Sequence, residues 1–213
     1  MSALKPIIRE LREAALKAGI HAKDKLPRLA DNLDGHFDTV IRRVRDRDQY
    51  DPSVDVNLKQ FKRNPKHNSD EYKRQYDEQM DTLQNTPVSE WLKNRIEFLE
   101  HGRTAGSLRE QAVQRDIALD NKYAELREGG MSASDARQAA RTWLQSQAAT
   151  HRLDGIAGGN QTDISGVGDT RINSSLGSQW RSRVGDIDRA VIDFINANPG
   201  ADFSKVYLNV AFR

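Results

Sequence analysis

Residues 149–175 read ATHRLDGIAGGNQTDISGVGDTRINSS, and along this stretch the pattern of the chain changes. Before it, apolar residues recur at helical spacing; within it, Gly, Asn, Asp and Ser dominate and that periodicity disappears. A histidine and an aspartate, His151 and Asp154, stand three residues apart near its start. We expect the stretch to hold a polar constellation at an open surface, supported by the segments on either side.

The composition indicates a modest core and a well-solvated surface. Of the 213 residues, 37% are hydrophobic and 30% are charged, and the net charge is only +2. No charge run forms a basic tail, so any binding of nucleic acid must come from local placement of Arg and Lys. The absence of cysteine excludes a disulfide scaffold, a cysteine nucleophile and cysteine-ligated zinc.

The sequence shows no signal for crossing a membrane unaided. No segment has the apolar length of a membrane span, and charged residues interrupt the N-terminal segment where a signal peptide needs an apolar run. If the protein leaves its cell, we expect a dedicated secretion machine to carry it.

Helical periodicity predicts a mainly α fold, with α+β as the alternative. The predicted helices cover residues 4–18, 29–44, 72–83, 88–99, 107–128, 135–151 and 175–195. Alternation over 206–212 predicts a strand, paired with residues 162–172 or with another chain, so a small β element is expected near the polar stretch and the C-terminus. The polar, proline-containing stretch over 46–66 predicts a linker or a long loop. We expect a helical extension or delivery-linked region at 1–50 and a functional domain at 51–213.

The pair formed by His151 and Asp154 suits phosphodiester hydrolysis. If the preceding helix reaches His151, its spacing from Leu144 and Ala148 places the imidazole on the inward face, with Asp154 following on the same side. A neutral imidazole takes a proton from water near pH 7, and a carboxylate holds a divalent cation. We predict His151 as general base and Asp154 as metal ligand; His151 as a metal ligand stays open, as does a simple polar cap.

Polar residues farther along the stretch are candidates for metal and phosphate contacts. Asp169 is a further carboxylate for the metal, and Arg171 carries a guanidinium that can clamp a phosphate. Asn173, Ser174 and Gln179 stand near the predicted start of the last helix, where free N–H groups favour an anion. Asn173 and Ser174 also suit an ordinary helix cap.

Several motifs occur in a recognisable order and spacing. They are Asn64-Pro65-Lys66, Tyr72-Lys73-Arg74-Gln75-Tyr76-Asp77-Glu78-Gln79, Trp91-Leu92-Lys93-Asn94-Arg95, His151-x-x-Asp154-x-Ile156-Ala157-Gly158-Gly159 and Gly168-Asp169-x-Arg171-x-Asn173-Ser174-Ser175-x-Gly177-Ser178-Gln179-Trp180. Over about residues 51–195 the chain resembles the polymorphic toxin type 15 (novel toxin 15) family. These are C-terminal toxin domains of bacterial effectors, several of them delivered by type VI secretion.

The resemblance implies a toxin nuclease domain at 51–213, a metal-dependent deoxyribonuclease using a divalent metal such as Mg²⁺. The family's His-x-x-Asp motif maps onto His151 and Asp154. The implied partners are DNA, a cognate immunity protein, and a secretion-system component or chaperone. The implied path runs from a bacterial cytoplasm, through secretion, to the cytoplasm of a target cell. Two alternatives stay open: a metal-independent ribonuclease toxin using His151, and a non-enzymatic helical protein that binds DNA or acts as an adaptor.

Overall fold

The computed structural model describes residues 4–20 and 52–213, and within these ranges the fold is mainly α, as predicted. The helices are α1 (Leu4–Lys17), α2 (Ser69–Asn85), α3 (Val88–His101), α4 (Ala105–Glu128), α5 (Ala133–Gln145), α6 (Thr170–Trp180) and α7 (Val184–Ala197). The strands are β1 (Ser53–Leu58), β2 (Gln147–His151), β3 (Ile164–Asp169) and β4 (Tyr207–Phe212), and Gly155–Ala157 forms a 3-10 turn.

The C-terminal strand is confirmed, but its partner differs from the predicted ones. β4 lies parallel to β1, with Leu58 opposite Phe212, rather than pairing with residues 162–172. The segment Ser53–Leu58 was expected to belong to a linker, and that expectation is wrong. Val54, Val56 and Leu58 alternate with exposed residues and are almost fully buried, which is the pattern of a strand with one face in the core.

The second sheet is the hairpin of β2 and β3, antiparallel and irregular between Thr150 and His151. The helix expected to reach His151 ends at Gln145, so the predicted helical placement of His151 is wrong. Hydrogen bonds to β3 hold Gln147–His151 in a strand. The 4–3 spacing of apolar residues before His151 could not reveal this, because strand formation depends on a partner elsewhere in the chain.

The helix predicted from Ser175 consists of two helices. The first, α6, begins at Thr170 because the Asp169 carboxylate accepts hydrogen bonds from the backbone N–H groups of Arg171 (2.8 Å) and Ile172 (3.2 Å). The chain then turns before α7, and the buried side chain of Arg183 at this turn donates to the Lys59 carbonyl oxygen at 2.7 Å.

The main core lies between the β1–β4 sheet and helices α1, α3 and α7. Trp91 and Trp180 are fully buried there, and Leu11 and Ala14 of α1 belong to the same cluster. The first helix is thus packed into the domain. The helix predicted over 29–44 lies outside the described residues, and the delivery-linked role of residues 1–50 stays a prediction.

None of the helices in residues 4–20 and 52–213 is long and apolar enough to cross a membrane.

Candidate active site

His151, the last residue of β2, is held by two other segments. Its Nε2 atom lies 3.1 Å from the carbonyl oxygen of Gln161 and 3.3 Å from the hydroxyl of Ser107 in α4. A carbonyl oxygen can only accept, so Nε2 carries the proton of the neutral ring and donates to Gln161. Nδ1 is then unprotonated, and none of the described residues forms a hydrogen bond with it. This tautomer leaves Nδ1 free to accept a proton.

Burial lowers the pKa of His151 below its ordinary value of 6.5, because removal from water disfavours the charged imidazolium. The guanidinium of Arg103 lowers this pKa further, whereas the carboxylate of Asp154 and the hydrogen bond to Gln161 raise it without outweighing burial. The imidazole is therefore neutral at pH 7, the form in which it serves as a base.

Asp154 caps the 3-10 turn Gly155–Ala157, which follows β2. One carboxylate oxygen, Oδ1, accepts from the backbone N–H of Ile156 at 2.9 Å. The Asp154 carbonyl oxygen accepts from the N–H groups of Ala157 (2.8 Å) and Gly159 (3.2 Å). The second oxygen, Oδ2, forms no hydrogen bond with any described residue, so it is available to a ligand.

The turn is fastened to the core by α3 and α7. The indole of Trp91 donates to the carbonyl oxygen of Ala157 at 2.7 Å, and Arg95 donates to that of Ile156 at 2.9 Å. Arg95 also forms a two-point ion pair with Asp188 at 2.9 and 2.8 Å, with both side chains at most 5% exposed. Buried partners on two helices therefore fix the segment that carries Asp154.

The Asp154 carboxylate meets α6 at a glycine. A Cβ atom built on Gly177 would lie 2.8 Å from Oδ2 of Asp154, closer than real Cβ contacts. Glycine inside a helix costs about 1 kcal/mol relative to alanine. Gly177 therefore leaves room for the Asp154 carboxylate, although glycine makes the helix less stable than alanine would.

A cavity of about 410 Å³ brings several predicted site residues together. His151 and Asp154 line it, and so do Asn173 and Ser174 from the first turns of α6. The remaining polar lining comes from Gln79, Arg103, Gln111, Arg115, Gln145, Gln147 and Thr170. Among the described residues, Asp154 is the one carboxylate in this lining, beside two guanidinium groups, neutral polar groups and two alanines, so the cavity suits an anionic group.

Asp169, Arg171 and Gln179 are not among the residues that line this cavity. Both oxygens of Asp169 are engaged, by the cap of α6 and by an ion pair with the exposed Arg171 at 3.0 Å. This ion pair and the cap also lower the pKa of Asp169. Gln179 makes two hydrogen bonds to the backbone of Lys62, at 2.8 and 3.1 Å. The structure thus gives these three residues local structural contacts, and their predicted contacts with metal or substrate stay predictions.

Two arginines of the cavity were missed from the sequence. Arg115 of α4 donates to the carbonyl oxygens of Gln147 and Leu144, tying that helix to the start of β2. Arg103 is exposed and makes no ion pair or hydrogen bond with any described residue. No local pattern marks these two arginines, because only the packing of α4 against the hairpin brings them near His151.

The possible metal ligands in the cavity suit a cation that keeps most of its bound water molecules. Within residues 4–20 and 52–213 no three His, Asp or Glu side chains are grouped so as to hold an ion alone. Mg²⁺ is commonly bound by one or two carboxylates together with waters and substrate phosphates, and Oδ2 of Asp154 offers such a ligand. His151 would suit a transition metal better than Mg²⁺.

The comparison with protein families gives a match over most of the described chain. The family model described as Novel toxin 15 matches residues 66–211, which include the hairpin, the turn of Asp154 and α6. Among curated proteins, none matches this chain. The family match covers more than half of the sequence and contains both His151 and Asp154. The chain therefore belongs to the Novel toxin 15 family of polymorphic toxin domains.

Proposed function

We propose that this toxin domain hydrolyses DNA phosphodiester bonds in a metal-dependent way, with His151 as general base and Asp154 as metal ligand. The observation that supports this most directly is that a neutral His151 and the free oxygen of Asp154 share one polar cavity. Arg103 and Arg115 in the same lining favour a phosphate there.

The proposed reaction is an attack of water on phosphorus. Nδ1 of His151 takes the proton of the water as the new O–P bond forms and the ester O–P bond breaks; solvent then protonates the leaving alkoxide. Gln161 and Ser107 keep the ring oriented during the transfer. Asp154 would hold a divalent ion, which when bound neutralises charge on the phosphate and the leaving oxygen. Arg103 would hold the phosphate near the base.

The family also suggests a cognate immunity protein, because a cell that makes a toxin must protect itself. We propose that this partner blocks DNA cleavage. We further propose that a secretion-system component or chaperone accompanies the chain from the producing bacterium, and that the toxin acts in the cytoplasm of the target cell.

Plasmid cleavage by the purified chain tests the assignment. We expect nicking in Mg²⁺ and none in chelator, with loss of nicking in His151→Ala and Asp154→Ala. His101→Ala and Asp193→Ala are matched controls, because both residues are exposed and lie outside the cavity; both should cleave like wild type. Full activity in both site variants would refute the site, and cleavage in chelator would refute the metal.

A tRNA substrate, a plasmid-binding assay and a growth assay separate the alternatives. A ribonuclease would degrade tRNA and spare the plasmid, and persistence of that activity in chelator would favour a metal-independent use of His151. A non-enzymatic DNA-binding protein would bind the plasmid in a salt-sensitive way without cutting it. Growth arrest on expression in a bacterial cytoplasm that disappears in His151→Ala would contradict the non-enzymatic alternative.

A further inference from the structure

A strongly basic loop lies apart from the cavity. Residues 59–67 read KQFKRNPKH and contain no acidic residue; we call them the basic loop. Its four basic side chains, all exposed, are Lys59, Lys62, Arg63 and Lys66. With three lysines, one arginine and no acid, the basic loop has a larger net charge than the whole chain, whose net charge is only +2.

The positive charges of the basic loop are not neutralised by carboxylates. Within residues 4–20 and 52–213, none of its lysines or its arginine forms an ion pair. Arg63 donates instead to the carbonyl oxygens of Asn64 (3.4 Å) and His67 (2.6 Å). Elsewhere, arginines such as Arg95, Arg152 and Arg171 are paired with acids. The loop is therefore a concentrated source of positive potential.

The backbone of the first half of the loop is fixed from the end of α6. Gln179 accepts from the N–H of Lys62 at 2.8 Å and donates to its carbonyl oxygen at 3.1 Å. Arg183 donates to the carbonyl oxygens of Lys59, at 2.7 Å, and Gln60, and its guanidinium lies 4.2 Å from the centre of the Phe61 ring. Phe61 in turn packs edge-on against Trp180. These contacts hold the backbone of the loop in one conformation, while its lysine side chains stay exposed.

The second half of the basic loop is held by hydrogen bonds among its own residues. The Asn64 side chain accepts from the N–H of Lys66 at 3.0 Å, and the Asn64 carbonyl oxygen accepts from His67 at 2.9 Å. Asn68 then caps α2 through the N–H groups of Asp70 and Glu71. Little backbone entropy remains to be lost when the loop meets a ligand, so its charges are presented in a preorganised way.

We propose that the basic loop binds phosphates of the nucleic-acid backbone outside the cleavage site. This inference rests on the proposed function for the choice of partner. Protein interfaces are enriched in aromatic side chains at their centre, whereas the aromatic residue of the loop, Phe61, is half-buried against the core and leaves mainly lysines at the surface. Lysines on a solvated, fixed loop suit sequence-independent contacts to phosphates.

One helix connects the loop with the candidate active site. Gly177 of α6 faces Asp154, and Gln179 two residues later holds the loop. Two residues correspond to a rotation of about 200° along a helix, so the loop and the cavity contact different sides of α6. A nucleic acid that reaches both places would therefore contact the protein on two different sides of α6.

The test compares two triple variants of equal charge loss. Lys59→Gln/Lys62→Gln/Lys66→Gln removes the lysines of the loop. Lys5→Gln/Arg141→Gln/Arg189→Gln removes three exposed charges from α1, α5 and α7 that make no ion pair with described residues. Both are made in the His151→Ala chain and measured in chelator, by the fluorescence anisotropy of a labelled 20-base-pair duplex as salt is varied.

We expect the loop variant to reduce the slope of log K against log salt by about 2 to 3, since each phosphate contact contributes about 0.9. Its affinity at low salt should fall about tenfold or more, whereas the control variant should keep the slope of the parent. Equal slopes in the loop variant and its parent would overturn the inference, and so would equal losses in both triple variants. Thermal melting shows that all three proteins are folded.

The outcomes also separate this inference from the proposed function. If wild type cleaves plasmid but the loop variant binds the duplex normally, the inference fails and the nuclease proposal stands. If wild type cleaves neither DNA nor RNA while the loop-dependent slope is observed, the binding surface stands and the nuclease proposal fails.

Discussion

The two small sheets found in residues 52–213 are similar in size but differ in pairing, connectivity and burial. The β1–β4 sheet is parallel, joins distant parts of the chain, and buries Val54, Val56 and Leu208 in the core. The β2–β3 sheet is a local antiparallel hairpin with a half-buried, partly polar face that ends at His151. We interpret the difference as a division of roles, in which one sheet stabilises the fold and the other positions the proposed catalytic residues.

The polar face of the hairpin is organised by charge rather than by apolar packing. Glu78 of α2 accepts hydrogen bonds from Arg152 (3.1 Å) and Ser165 (2.9 Å), one residue from each side of the hairpin. Burial raises the pKa of Glu78 in spite of these partners. Polar contacts from Glu78 therefore connect both sides of the hairpin to α2.

The largest effect should follow from removing the proposed base, His151, at the end of the hairpin. We expect His151→Gln to lower the rate of DNA cleavage about 10²–10⁴-fold, the range typical of a general base. Single-turnover nicking measures the rate, and urea unfolding should show that the free energy of unfolding changes far less. A variant with full activity, or one that is inactive only because it is unfolded, would contradict the division between the sheets.

The converse prediction concerns a substitution in the β1–β4 sheet. Leu58 is 0% exposed at the end of β1, so Leu58→Ala should lower the free energy of unfolding by about 2–5 kcal/mol. Activity per folded molecule should stay near that of wild type. Asn57→Ala, at the exposed neighbouring position, is the control and should change the free energy little. Loss of activity in a fully folded Leu58→Ala would show that this sheet also shapes the site.

A smaller effect is expected where α6 meets the turn of Asp154. Gly177→Ala should displace the Asp154 carboxylate and reduce cleavage by about tenfold to a hundredfold, because misplacing a reacting group by about 1 Å costs that much. Gly185→Ala in α7 is the matched control, since a Cβ there meets no atom within 4 Å.

In Gly177→Ala the lost activity should come with unchanged or higher thermal stability, because alanine favours the helix. Wild-type activity in this variant would mean that the carboxylate has room to move without consequence.

The smallest effect is electrostatic and concerns the pKa of His151. Removing the nearby negative charge with Asp154→Asn should lower this pKa further, and removing the positive charge with Arg103→Gln should raise it. Titration of the histidine resonances by NMR measures both shifts. Shifts in the opposite directions would show that Asp154 and Arg103 do not act on the His151 imidazole as the structure implies.

The lowered pKa of His151 also gives stability a pH dependence of known sign. The unfolded chain binds a proton near pH 6.5 and the folded chain only at lower pH, so the free energy of unfolding falls as pH drops below that value. In His151→Gln this part of the pH dependence should be absent from urea-unfolding measurements. An unchanged profile would mean that the imidazole is no less solvated in the folded state.

Periodicity located most of the described helices, because an amphipathic helix carries its signal within its own residues, but it merged α6 and α7 into one helix. It failed for β2, where the spacing of Leu144, Ala148 and His151 imitates a helix and the true partner lies in β3. For β1 a signal was present in the alternation of Val54, Val56 and Leu58, although the polar residues around it suggested a linker.

The sequence predicted only the part of the candidate site that lies within residues 149–175. The spacing of His151 and Asp154, with Asn173 and Ser174 farther along, pointed to residues that do share a cavity. Arg103 was not predicted, because it reaches the cavity only through the packing of α4 on the hairpin. The role of Asp169 as a helix cap depended on where α6 begins, which the Gly-rich sequence before it concealed.

The parallel pairing of β1 with β4 has a consequence for how the toxin is made. Asp55 and Asn209, which are hydrogen-bonded across this sheet, are separated by 154 positions in the chain. At about 5–20 residues per second, a ribosome needs roughly 8 to 30 seconds to synthesise the residues between them. During that interval β1 has no strand beside it and the core lacks Leu208. A cognate immunity protein, of the kind that the family suggests, would have this interval in which to bind before the domain is complete.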